Sequence, residues 1–136
     1  TCLKFRRKWS VIASKEYFMN NMNQIILEGR CVRNAEIKET PSGSKVSTVC
    51  VAVIRDYRNA QGEKVNEVCY FDVKGFGDNF ASLYERKCRK GKPLRVIGRL
   101  KQERWKGDDG KAYSKVYVIA EHIDFPETEE ESKEEE

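Results

Sequence analysis

Tyr57, Tyr70, Phe76 and Trp105 are the residues of this chain best placed to do chemistry. Each sits among Lys and Arg, on or just past a segment patterned as a β-strand. Flat rings stack on unpaired nucleobases, all of which have a π-face, while cations neutralise the phosphates between them. A duplex hides its base faces, so the pattern predicts a single strand as the ligand. Arg30, Arg55, Lys74, Arg99, Lys101 and Arg104 lie on or beside the same strands and are the candidate phosphate contacts. Together they predict salt-sensitive binding, with log affinity falling about 0.7 per log unit of salt for each single-strand phosphate neutralised.

Such rings need a rigid support, and the chain from Gln24 onward supplies alternating strands and turns. Ile25 and Leu27 share a face, and Gly29 leaves a gap where a strand bends or another backbone approaches. Thr40-Pro41-Ser42-Gly43 is a turn, since proline pre-sets φ and glycine accepts a positive one. Val46 to Tyr57 is a β-branched run with Val49, Val51 and Val53 on one face. Asn59-Ala60-Gln61-Gly62 makes a hairpin, and Val65 to Phe76 returns. There Phe71 and Val73 face one way, and Tyr70, Asp72, Lys74 and Phe76 face the other. One such face covers a core and the other meets solvent or ligand.

One stretch has helical spacing: Phe80, Leu83, Tyr84 and Lys87 share a face, and Gly91 is a natural stop. From Pro93, Leu94, Val96, Gly98 and Leu100 alternate with Arg95, Ile97, Arg99 and Lys101. Gly107-Asp108-Asp109-Gly110 is a hairpin turn, and a last strand runs from about Tyr113 to Ile123. Five strands with one helix between the third and fourth is the order of an all-β, five-stranded Greek-key barrel of the oligonucleotide-binding (OB) type.

Composition agrees. A chain of 136 residues makes one domain with a real core, and no apolar run approaches the length needed to span a bilayer. The net charge of +4 conceals a division: Glu127 to Glu136 carries −6, so the preceding residues carry +10, a nucleic-acid-like balance. The last four of the five cysteines recur every nineteen residues, but their flanks differ and the spacing marks no repeat. Without a Cys-x-x-Cys pair and with His122 as the one histidine, neither a metal nor a cofactor is expected. An odd count without close pairs predicts free thiols in a reducing compartment, with Cys50 and Cys69 as small core residues.

Three regions separate. Residues 1–21 are basic and partly apolar, and are compatible with a leader, a cloning scar or a mistaken upstream extension; Met19 and Met22 stand just before the first strand. Residues 22–125 form the barrel domain. Residues 126–136 read as an acidic, disordered tail, which could also fold over the basic face and compete with DNA.

Met22-Asn23-Gln24-Ile25-Ile26-Leu27-Glu28-Gly29-Arg30 resembles the opening of bacterial single-stranded DNA-binding proteins. Thr40-Pro41-Ser42-Gly43, Val46, Val51-Ala52-Val53 and Arg55 resemble that family's second block, and Lys90-Gly91, Val96 and Gly98-Arg99-Leu100 its fourth strand. The resemblance runs from about Met22 to Phe125. It implies that Tyr57, Tyr70, Phe76 and Trp105 are base-stacking positions, and that a homotetramer is wrapped by a long strand during replication, repair and recombination. There are two departures. Asn34-Ala35 stands where the family often has Asp-Pro, and the acidic end follows Phe125-Pro126 without the family's linker or terminal phenylalanine. Docking of other replication and repair proteins through the tip therefore lacks its usual anchor.

Other functions compete unequally. No nucleophile motif, phosphate-cradling glycine loop or metal-spaced carboxylate set is present, so an enzyme is not expected. A single-stranded RNA-binding module or a replication-restart accessory protein could use the same barrel and rings. The expected location is the bacterial cytoplasm and nucleoid, or an organelle if residues 1–21 are a transit peptide. The cluster Arg86, Lys87, Arg89, Lys90 and Lys92 is either a solvated surface or an accessory path for wrapped DNA.

Overall fold

A computed structural model describes residues 21–126; the expected N-terminal extension and acidic tail lie outside the described residues, apart from their innermost positions. In chain order the elements are β1 (Ile25–Cys31), β2 (Glu36–Glu39), β3 (Lys45–Arg58), β4 (Lys64–Phe76), α1 (Asp78–Lys87), β5 (Pro93–Lys106) and β6 (Ala112–Asp124). The sheet runs β1-β5-β6-β4-β3-β2, and a further pairing of β1 with β3 closes it into a barrel. All pairings are antiparallel except β4 with β6, and α1 lies between the third and fourth barrel strands as expected.

The alternation of the long strands decides what faces inward. Val49, Val51, Val73, Val96 and Val118 converge from four strands and are essentially fully buried, joined by Leu94 and by Tyr84 of α1. Burying each such side chain stabilises by about 1.5–3 kcal/mol. Closure brings backbones so close that a Cβ on Gly98 would strike the Ile119 carbonyl oxygen, and one on Gly29 the Ala52 carbonyl oxygen. The three hairpin tips share one closure: Gly43, Gly62 and Gly110 each donate an N–H to the carbonyl three residues back, at 2.9, 3.0 and 3.0 Å. Their φ values of 88°, 79° and 79° are ones only glycine adopts readily.

Two expectations change. The short β2, pairing with the start of β3, was not foreseen, because Glu-Ile-Lys-Glu offers one apolar residue and no readable period. Cys50 is not a core residue. With Val49 and Val51 both turned inward, the residue between them must face out, opposite Asp72. Cys69 faces the core side but is only half-buried. The buried thiols are instead Cys31 and Cys88, which sit together where β1 meets the end of α1. The Cys88 thiol donates to the Cys31 sulfur; this bond and then burial raise the Cys88 pKa, while the same bond lowers that of Cys31 against the opposing effect of burial.

Candidate nucleic-acid interface

The strand period sorts the candidate residues onto two sides. On the outer face of β4 lie Tyr70, Asp72, Lys74 and Phe76. The parallel pairing of Lys74 with Ile119 sets this row beside the outer face of β6, with Tyr113, Lys115 and Tyr117. Beyond it comes the outer face of β5, with Arg99, Lys101, Glu103 and Trp105. Arg30 joins from the other flank, since it pairs with Ala52, which pairs with Tyr70. Seven of the ten candidates thus share one sheet surface.

That surface is tied together by side chains. Lys115 Nζ lies 2.7 Å from Asp72 Oδ2, a hydrogen-bonded ion pair that raises the lysine pKa. Lys74 Nζ stands 4.3 Å from the centre of the Tyr117 ring, and the Tyr117 hydroxyl donates to Glu103 Oε1 at 2.8 Å. Burial, then this hydrogen bond, pushes the Tyr117 pKa up to about 12. Trp105 and Tyr113 stack across β5 and β6, with centroids 6.0 Å apart and planes 20° from parallel. The Tyr113 hydroxyl donates to Asp109 Oδ2 at 2.6 Å, raising the tyrosine pKa and lowering that of the aspartate.

The outer rings are unburied although the barrel is closed: Tyr70 is 64% exposed, Trp105 48% and Phe76 46%. A core role needs the opposite pleat, which Phe71 and Val73 already occupy. Tyr117 is buried beneath Lys74, so it supports the surface rather than presenting a face. Arg99 faces Glu121 at 3.7 Å, and the Arg30 guanidinium donates to the Gly91 carbonyl at 3.0 Å. Lys101 is exposed.

Tyr57, Arg55 and Arg104 fall on the other pleat of their hairpins. Arg55 lies 5.0 Å over the Tyr57 ring and 4.0 Å from Glu67, so one face of that tyrosine is already taken. Arg104 alternates with Trp105 and donates to Gln102 Oε1 at 3.1 Å. Tyr113, Lys115 and Tyr117 are the residues that sequence reasoning passed over. The hairpin closes across Gly107 and Lys111, which sets Tyr113 opposite Trp105; counting outward from Gly107–Gly110 alone would have set Ala112 there, one residue out.

A sequence model of the Single-strand binding protein family matches residues 22–126. The Single-stranded DNA-binding protein of Helicobacter pylori is 34% identical over 103 residues, 76% of this chain and 57% of that protein. That of Aquifex aeolicus is 37% identical over 102 residues, 75% of this chain and 68% of its own length. The matched stretch is therefore little more than half to two thirds of these relatives. Among solved structures, a Plasmodium falciparum SSB complex with ssDNA has the same fold, with a TM-score of 0.74 at 23% identity, over 82% of this chain and 100% of the other. The fold, the order of its blocks and the extent of the match together make this chain a member of the Single-strand binding protein family.

Proposed function

We propose that the protein binds single-stranded DNA with little base preference and shields it during replication, repair and recombination, without catalysing a reaction. One observation carries the reading: Tyr70, Phe76 and Trp105 stand exposed on a single sheet surface interleaved with Arg30, Lys74, Arg99 and Lys101. Rings there stack on bases and cations meet phosphates, whatever the sequence. Tyr57, Arg55 and Arg104 would engage from the reverse side of the arms. The names and sources of the relatives support DNA as the polymer and a bacterial setting. No described helix is long and apolar enough to cross a membrane.

The working unit in this reading is a homotetramer. Ile26, Ile54 and Val68 are 63%, 58% and 38% exposed on outer strand faces, and Ile54 pairs with Val68, an apolar patch that a second copy would cover. The test is titration with a dT oligomer series and a matched rU series, following tryptophan quenching, with the mass of the complex measured by light scattering. Strong quenching by dT, weaker response to rU and one long strand per tetramer are expected. A preference for rU would favour the RNA-binding alternative, and absence of quenching would sink the ring reading.

A further inference from the structure

A second basic surface lies at the end of the barrel, where the loop after β1 meets the turn after α1. Backbone bonds stitch the two together: Gly91 N–H donates to Cys31 O at 2.8 Å and Ala35 N–H to Cys88 O at 2.9 Å. Lys90 N–H donates to Asn34 Oδ1 at 2.9 Å. This junction gathers Arg33, Arg89 and Lys90, all exposed, and among the described residues no carboxylate pairs with them. Of the nearby acids, Glu28 engages Arg95 and Glu36 engages Lys38, while Glu85 lines a hollow with Asn34 and Arg89 without pairing with the arginine. The helix dipole does not account for the cluster. Arg86 and Lys87 already occupy the last turn of α1, and Arg89 and Lys90 come after its cap at Cys88.

Arg30 connects this junction to the ring surface. It stands in register with Ala52 and Tyr70 on one side, and its guanidinium reaches the Gly91 carbonyl on the other. None of the exposed large apolar side chains of the described residues lies in either loop. The two loops therefore offer cations but no ring on which a base could stack. Resting on the function proposed above, we infer that a single strand stacked over Tyr70 leaves the rings across Arg30 and continues along Arg33, Arg89 and Lys90, a track engaged only by long strands.

The experiment compares the full chain with its R33Q/R89Q/K90Q variant on two oligo-dT ligands. The short one is about 8 nucleotides, within the roughly 4–16 that one such barrel covers, and the long one about 40. On the long strand the variant should lose about 2 units of log–log salt slope, at 0.7 for each lost phosphate contact, and at least tenfold in affinity at low salt. On the short strand it should stay within about twofold, since the ring surface is intact. An R33K/R89K/K90K variant, which keeps the charges, should behave as the parent, and matching melting curves establish that all are folded. Unchanged long-strand binding would overturn the track and leave the cations to some other acidic surface. Equal losses on both ligands would also overturn it, by making the junction part of the primary site. If the parent fails to bind either ligand, the ring reading falls and this track with it.

Discussion

Tyr70 has no hydrogen bond, ion pair or ring contact among the described residues, so its truncation removes little except a platform. Tyr70→Ala, Phe76→Ala or Trp105→Ala should each weaken dT binding by about 1–3 kcal/mol, the cost of one lost stacked base, with melting temperatures nearly unchanged. Fluorescence titration beside thermal melts checks this, and a normal affinity in all three would remove the rings from the interface. Tyr113→Ala should cost less than Trp105→Ala, since Tyr113 props the indole rather than replacing it. Tyr117 makes a pH prediction. Its folded pKa is raised, so its contribution is fully present below the unfolded value near 10 and lost as pH rises towards about 12. Tyr117→Phe should therefore flatten the fall in melting temperature across that alkaline window relative to the parent.

At the scale of elements, period and turn chemistry made most of the fold legible. The alternation of Val49, Val51 and Val53, the two faces of Tyr70 to Phe76, and the glycine-closed tips all appear where they were expected. What escaped was set by partners rather than by local sequence. The strand at Glu36–Glu39 exists because β3 pairs with it, and the inward cysteines are chosen by closure of β1 onto the end of α1. The same limit hid the sidedness of the site: a ring and a cation one residue apart in sequence land on opposite pleats, as Arg104 and Trp105 do. Gly98→Ala should destabilise by more than about 2 kcal/mol, because the new methyl meets a backbone carbonyl that cannot rotate away. Tyr84→Phe tests the core in the other direction. Its buried hydroxyl has no hydrogen-bond partner among the described residues, so removing it should leave stability unchanged or raise it by about 1 kcal/mol, a few degrees in a melt. A clear loss of stability would show that the hydroxyl is satisfied in solution.

Across the whole molecule, charge is divided between a basic barrel and an acidic end. Pro126, the last described residue, lines a hollow with Glu28, Arg30 and Ala52, at the edge of the proposed ring surface. Removing residues 127–136 should tighten dT binding at low salt and change little at high salt, where screening already silences the segment. Equal affinities at low salt would separate the tail from the binding face. The hairpin tips carry a different consequence. The glycines at Gly43, Gly62 and Gly110 turn the chain with open space around them, so no packing registers their position. Doubling a tip's length costs only about 0.6 kcal/mol of closure entropy. Reach and robustness are therefore nearly separable in this molecule: a longer β3–β4 or β5–β6 arm would grasp more nucleotides while the barrel beneath it melts only a few degrees lower.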